Sequence, residues 1–506
     1  MIFMWTLIPA KERKLYTLIE SLFYSEKPLN LNELSKRVGS SKRSVSDYID
    51  ELKVRIEASG GELTSNPEGF LLVFPDNLSI DTFQYQLLQS TPSLKLLELL
   101  LIKDELTGLE LENELFVSSA SLSRMITRLK ETLADYGLGL EHHPYRLTGD
   151  EFLIRRLYTS YYLEAYGYEN WPFQSVSFDE ISELVNSLAQ SDSVQFETVN
   201  VQKFLLFTSV SVIREKHNHP IYTSQAANDC IHKEEFKRIS GHVRRWLSSV
   251  MSSVDKIEMY TRIFSHYMFY YFRSYTQKSI NLTRIDHQDF IKDSLLDICR
   301  TFDLPETDFS HIAGKIDDSL YLCKKNGYSH ALGSYLFFKP RDYALLIIYS
   351  SQYPKLYQSL KEMMEQLYEK YGINESKIDT EEFLYLIISR WDQLSLHLYE
   401  KYTVCRVLVY SPLSYRHADN IARLLNSKLE RACDVNVYSE PFLTVDKLKQ
   451  YDYDILVSTC SLSLDITQPI ITLHSKVSGK HLHPLLSAID SAVQKNREKI
   501  REEKGL

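Results

Sequence analysis

Ser41-Lys42-Arg43-Ser44-Val45-Ser46-Asp47-Tyr48-Ile49-Asp50-Glu51-Leu52 and Ser118-Ser119-Ala120-Ser121-Leu122-Ser123-Arg124-Met125-Ile126-Thr127-Arg128-Leu129 are two segments of one kind. In the first, Val45, Ile49, Leu52 and Ile56 recur at helical spacing; in the second, Leu122, Ile126, Leu129 and Leu133 do the same. The opposite sides carry short polar and basic groups. Lys42, Arg43, Ser44 and Ser46 stand on the first, and Ser121, Arg124 and Arg128 on the second. Such groups reach phosphates and base edges when a helix of this type enters the major groove.

Each segment is the third member of a set. Before the first, residues 11–23 repeat Leu15, Leu18, Ile19 and Leu22 at helical spacing, and Lys27-Pro28 ends that run. Asn30 or Asn32 can cap a short second helix carrying Leu34 and Val38, and Gly39 supplies the turn. After the third helix, residues 61–72 read as a hairpin turning at 66–69. Three helices followed by a hairpin is the winged-helix order. The second set repeats it, with an apolar helix over 94–101, a helix from Thr107 to Leu115, a turn at 116–118, and a wing candidate over 137–147. Two tandem DNA readers are expected in the first 150 residues.

The chain has 506 residues, several domains' worth. Its 44% hydrophobic and 25% charged content is that of a folded protein, and its net charge of −9 excludes a generally basic nucleic-acid coat protein. Specific DNA binding needs only local Lys and Arg. Cys230, Cys299, Cys323, Cys405, Cys433 and Cys460 form no Cys-x-x-Cys pair, which fits a reducing cytosol rather than a zinc site or a disulfide framework. No metal is expected at His217-x-His219 or His481-x-His483, which lack nearby acidic or Cys partners. Residues 1–10 are too short an apolar run for a signal or membrane segment, and no other run approaches membrane length. A cytoplasmic location follows as the expectation, with no cofactor and no catalytic residue.

From 151 to 400 the pattern is helical, with helices expected over 151–166, 200–216, 255–273, 288–302, 308–323, 352–371 and 380–399. Breaks at 171–172, 276–284 and 325–342 divide the region. After Lys401 apolar strands over 406–410, 434–438, 453–459 and 470–473 alternate with helices over 417–431, 445–450 and 484–503, the pattern of a parallel α/β unit.

The tandem readers, followed by Gly149-Asp150-Glu151-x-x-Ile154-Arg155-Arg156 and Trp171-Pro172-Phe173, resemble the Mga/AtxA group of stand-alone virulence regulators of Gram-positive bacteria. The resemblance runs through nearly the whole chain. It implies a mainly α, multidomain protein: two winged helix-turn-helix domains over 1–75 and 76–160, two all-helical PRD-like domains over 161–286 and 287–400, and a C-terminal enzyme IIB-like α/β domain over 401–506. PRD modules are phosphorylated on histidine by the sugar phosphotransferase system, and His219, His266 and His311 are the positions that match. In enzyme IIB a cysteine after the first strand accepts the phosphoryl group. Here that loop reads Ser411-Pro412-Leu413-Ser414-Tyr415-Arg416-His417, and Cys405 lies at the other end of the strand. The domain then reads as a dimerisation or docking module. The partners implied are double-stranded promoter DNA, a second copy of the chain or a higher oligomer, the phosphocarrier protein of the phosphotransferase system, and RNA polymerase. Alternatives are a phosphate-relay protein of that system and a PRD-containing RNA-binding antiterminator, although the latter begins with a β-rich domain. A scaffold, indifferent to Lys42 and Arg43, is a further alternative.

Overall fold

The computed structural model describes residues 4–25, 27–75, 78–167, 170–191, 198–221, 230–271, 287–325, 336–338, 343–374, 378–402, 405–429, 433–473 and 479–504. They fall into two compact units. One comprises Met1–Ile285, Asp318–Pro340 and Tyr371–Asp379; the other comprises Asp286–Asp317, Arg341–Lys370 and Thr380–Leu506.

The N-terminal unit opens with a short 3-10 turn, Met4–Leu7, and helix α1 (Ala10–Phe23). Asn30 caps α2 (Leu31–Val38): its side chain accepts from Asn32 and Glu33 amides while Glu33 reaches back to the Asn30 amide. Gly39, at φ 63°, closes α2 in the left-handed conformation that glycine adopts without strain. Ser41 caps α3 (Lys42–Ala58), which buries Val45, Ile49, Leu52 and Ile56. Strands β1 (Glu62–Asn66) and β2 (Gly69–Val73) pair antiparallel, and Asn66 Oδ1 accepts the amides of Glu68 and Gly69 across the turn. Gly69 is obligatory: at φ 147°, an added Cβ would collide with the Leu29 carbonyl.

Helix α4 (Asp81–Ser90) was not legible in the sequence, because Gln84, Gln86 and Gln89 interrupt its apolar face of Phe83, Leu87 and Leu88. The second reader then repeats the first. Pro92 starts α5 (Pro92–Ile102), Thr107 and Glu110 form the capping box of α6 (Gly108–Leu115), and Ser118 caps α7 (Ser119–Ala134). Strands β3 (Gly139–Glu141) and β4 (Arg146–Thr148) form the second hairpin.

Asp150 caps α8 (Glu151–Tyr166), which is buried on nearly every side. Its tyrosines tie it to α5: Tyr158 donates to the Leu97 carbonyl at 2.9 Å, and Tyr161 donates to Glu98 at 2.7 Å. Helices α9 (Phe178–Ser191), α10 (Thr198–Lys216), α11 (Cys230–Val250) and α12 (Val254–Tyr271) complete the unit, and one continuous apolar core joins them to both readers. The break expected at 276–284 lies outside the described residues, as do 326–335 and 339–342 of the break expected at 325–342.

Residues Leu336–Phe338 also belong to this unit. The fully buried Glu164 carboxylate accepts the amides of Leu336, Phe337 (3.0 Å) and Phe338 (2.9 Å). Met4 donates its amide to the Leu336 carbonyl, and the Trp5 indole donates to that of Phe337. Burial pushes Glu164 up to about 7, against the pull of the three amides. The folded chain therefore holds this proton more tightly than an unfolded glutamate with a pKa of 4.5 does. The resulting stabilisation is complete below that value and is lost as pH rises through about 7, at most roughly 3 kcal/mol in all. Thermal unfolding across pH 5–8 is expected to show this decline, and Glu164→Gln to flatten it. An unchanged profile in the variant contradicts the assignment.

The second unit contains α13 (Gln288–Thr301), the first part of α14 (Ser310–Lys325), α15 (Tyr343–Gln352), α16 (Pro354–Tyr371) to Lys370, α17 (Thr380–Arg390) and α18 (Leu394–Tyr402). A single helix is expected over 380–399, but the chain breaks at Trp391–Gln393, with Gln393 at φ 56°. Trp391 is buried there, edge-on against Phe309 at 4.9 Å, so tertiary packing overrides the local helical period. Strands β5 (Cys405–Tyr410), β6 (Cys433–Val437), β7 (Ile455–Ser458) and β8 (Ile470–Thr472) form a parallel sheet in the order β6-β5-β7-β8. Val407 pairs with Val435 on one side and Ile455 on the other. Helices α19 (Tyr415–Leu429), α20 (Val445–Leu448) and α21 (Gly479–Lys504) connect and close it.

Candidate nucleic-acid interface

The caps set where each third helix begins, and hence which side chains its first turns display. Lys42, Arg43, Ser46 and Asp47 are exposed on α3, and Ser123, Arg124, Thr127 and Arg128 on α7. Ser44 and Ser121 are committed to their caps, with amides bound by Ser41 Oγ (3.2 Å) and Ser118 Oγ (3.3 Å). Ser121 Oγ in turn accepts from Arg124 Nη2 at 3.3 Å, which orients that guanidinium. Among the described residues no carboxylate pairs with Lys42, Arg43, Arg124 or Arg128. Neighbouring cations are neutralised instead: Arg55 pairs with Glu12 and Glu51, Lys11 with Glu51, and Arg146 with Glu105 and Glu141. Lys42, Arg43, Arg124 and Arg128 are thus exposed on the third helices and open to a polyanion.

The two readers superpose along the chain at one constant offset, fixed by Asn30 with Thr107, Glu33 with Glu110, and Ser41 with Ser118. At matched positions their basic groups differ. Asp47 and Glu51 on α3 correspond to Arg124 and Arg128 on α7, whereas Arg43 corresponds to Ala120. The first reader concentrates charge at the helix start, and adds exposed Lys36 and Arg37 on α2; the second carries a mid-helix arginine stripe followed by exposed Lys130. Sequence reading missed Lys36, Arg37 and Lys130, which this register exposes.

Behind α5 and α6 lies a buried ion network that the sequence did not announce. Arg155 on α8 is wholly buried and donates to Glu151 (3.0 Å), Glu215 (3.3 Å) and the His219 carbonyl (2.8 Å). Arg214 on α10 binds Glu151 through two hydrogen bonds, at 3.0 and 2.8 Å, and lies 3.7 Å from Asp104. Burial pulls the Arg155 pKa down, against the opposing pull of Glu151 and Glu215. Burial opposes the charge of Arg214 too, but its bonds to Glu151 hold its pKa above the ordinary value. Asp104 and Glu105, which lead into α6, both adopt left-handed backbone (φ 45° and 52°).

The three histidines meet different surroundings. His219, with its side chain 21% exposed, places Nε2 2.7 Å from Asp104 Oδ2, and His217 Nε2 lies 3.0 Å from the Ile102 carbonyl. The first helical region thus touches the second reader through the residues that position α6. His311 is exposed in the first turn of α14, whose Ser310 amide is held by Asp308. His266 is only 3% exposed, with Nδ1 2.7 Å from the Arg262 carbonyl and its ring against Phe236. That packing departs from the exposure expected of a phosphate acceptor, because the aromatic helix that carries it is a core element.

The sequence model of the family described as "Mga helix-turn-helix domain" matches residues 76–162, from the segment leading into α4 through the second reader and most of α8. Over this segment the chain is similar to the Mga/AtxA-like regulators. A protein of Streptococcus pneumoniae serotype 4, provisionally named a trans-acting regulator, is 20% identical over 464 residues, 89% of this chain and 92% of that protein. The capsule synthesis positive regulator AcpA of Bacillus anthracis is 23% identical over 41% of this chain and 43% of its own length. AcpB of the same organism, described in the same words, is 21% identical over 56% and 58%. The matched family segment contains Arg124, Arg128, Asp104, Glu151 and Arg155, whereas Arg214, Glu215 and His219 lie beyond it. Among the described residues no helix is long and apolar enough to cross a membrane.

Proposed function

We propose that this Mga/AtxA-like chain is a cytoplasmic, DNA-binding transcription activator whose two helix-turn-helix units read promoter DNA, and whose helical regions adjust that reading. The observation that carries this is the pair of capped third helices, each displaying exposed cations that pair with no carboxylate among the described residues. Relatives named as positive regulators support the sign of regulation. Lys42, Arg43, Ser44 and Ser46, with Ser121, Arg124 and Arg128, contact the DNA; Ser41 and Ser118 set the helix starts. The intact protein, titrated onto fluorescent DNA from upstream of its own gene, is expected to give a salt-sensitive complex. No complex at micromolar protein and low salt overturns the reading.

The finer proposal concerns control. Residues 161–286 and 287–400 act as PRD-like regulatory modules, and residues 401–506 act as an enzyme IIB-like module for self-association. The phosphocarrier protein of the sugar phosphotransferase system phosphorylates His219 or His311, and RNA polymerase is the downstream partner. His219 is supported by its contact with Asp104: a phosphoryl group on Nε2 replaces a hydrogen bond by repulsion between anions at the entry to α6. His266 requires its helix to shift before any donor reaches it. His219→Asp, which sets two carboxylates against each other, is expected to change DNA affinity roughly five- to tenfold, within the usual range of coupling between sites. His219→Ala is expected to change it less. Equal effects of the two variants, measured by anisotropy, contradict electrostatic control at this position.

A further inference from the structure

The second helix of each reader has the same place in the same fold, so the first reader shows what the fold alone requires there. On α2 the exposed positions are Asn32, Glu33, Lys36 and Arg37, and the left-handed closing residue is Gly39. The matched residues of α6 are Leu109, Glu110, Asn113 and Glu114, and the closing residue is Phe116 at φ 53°. Leu109 is 69% exposed and Phe116 94% exposed. Leu109 and Asn113 lie on one face of α6, with Glu112 on one flank and Glu110 and Glu114 on the other, and Phe116 follows at its end in the left-handed closing position. Phenylalanine is a poor choice for this backbone conformation and a poor choice for full exposure. Neither is needed to fold the unit, since Gly39 meets the same geometric need without strain.

The charge of this face decides its occupant. Glu110 and Glu112 leave this face net acidic even with Glu114 paired to Lys103, so α6 does not offer it to DNA, unlike α2 with Lys36 and Arg37. Glu110 is held ionised by the amide and hydroxyl of Thr107, and Glu114 pairs with Lys103. An apolar pair rimmed by carboxylates complements an apolar patch rimmed by lysine or arginine.

We infer that the outer face of α6, built on Leu109, Asn113 and Phe116 with Glu110, Glu112 and Glu114 around them, is a protein-docking surface for a basic, partly apolar surface of RNA polymerase bound to the neighbouring DNA. This rests on the reading of the chain as a DNA-bound activator. It assigns the two readers different work: the first places α2 against the DNA backbone, and the second turns α6 outward to the transcription machinery.

The test exchanges this face for that of the first reader in the full-length protein: Leu109→Asn, Asn113→Lys, Glu114→Arg and Phe116→Gly. Phe116→Gly alone is the folding control, and it is expected to raise the thermal midpoint because glycine relieves the left-handed cap. Three quantities are read with purified protein: DNA affinity, oligomeric state by sedimentation, and transcription from the upstream DNA by Gram-positive RNA polymerase holoenzyme. Both variants are expected to bind DNA at least as well as the parent and to keep its oligomeric state. The exchanged variant is expected to lose tenfold or more of the stimulated transcription, and Phe116→Gly a substantial part of it. Stimulation at the parental level in the exchanged variant overturns the inference. So does a parallel fall in DNA affinity, which places the face on DNA, or a changed oligomeric state, which places it between copies of this chain. A parent protein that binds DNA without stimulating transcription defeats the activator reading itself, and the inference with it.

Discussion

Arg155→Ala is expected to destabilise the N-terminal unit by about 3–5 kcal/mol, a large share of the roughly 5–15 kcal/mol that holds a domain folded. The side chain is wholly buried, and its removal strands Glu151 and Glu215 in a low-dielectric interior. Arg214 and Arg262 remain bound to those carboxylates, so the loss is not total. The effect should reach the DNA reader: Arg155 also fixes the His219 carbonyl, and His219 meets Asp104 before α6. Chemical denaturation is expected to show the loss, and hydrogen exchange to show earlier opening of the segment around Asp104. Pairing Arg155→Met with Glu215→Gln should recover part of the stability, because it removes an uncompensated charge. A single variant that unfolds within about 1 kcal/mol of the parent would show the network to be solvated and the coupling route absent.

The second large effect is on DNA. Arg124→Ala/Arg128→Ala removes two exposed guanidinia from one face of α7 without touching its buried Leu122, Ile126, Leu129 and Leu133. Each such contact contributes about 1–3 kcal/mol when it reaches a base edge, so affinity is expected to fall from roughly thirtyfold to about ten-thousandfold. Lys42→Ala/Arg43→Ala is expected to act in the same direction. If those two residues reach only phosphates, their removal weakens binding uniformly across sequences, whereas loss of base contacts also relaxes sequence preference. Far-ultraviolet circular dichroism and an unchanged thermal midpoint confirm that either variant is folded.

The local readers were legible in the sequence because every signal there is short-range. Asn30 with Glu33, Gly39, Ser41 and the Val45–Ile49–Leu52–Ile56 stripe coincide with the cap, turn and helix that form. Helix α4 was hidden by glutamines that pack from its flanks, and the break at Trp391 came from a partner, Phe309, far away in sequence. The ion network is invisible for the same reason. Glu151 and Arg155 stand a helical turn apart, but nothing local says that Arg214, Glu215 and Asp104 converge on them. Exposure is the last quantity a sequence withholds. His266 and His219 look alike on paper, yet one is packed in the core and the other, just after α10, meets Asp104 beside the second helix-turn-helix unit.

The central claim, that the exposed cations of α3 and α7 bind DNA, is tested most directly by the salt dependence of binding. The logarithm of the affinity of the intact protein for its upstream DNA should fall linearly with the logarithm of salt concentration. Removing Lys42, Arg43, Arg124 and Arg128 together should weaken binding and reduce that slope by up to about 3–4, close to 0.9 for each phosphate left without its cation. An unchanged slope and affinity in the fourfold variant would place the DNA on another surface, and the tandem units would then be structural modules.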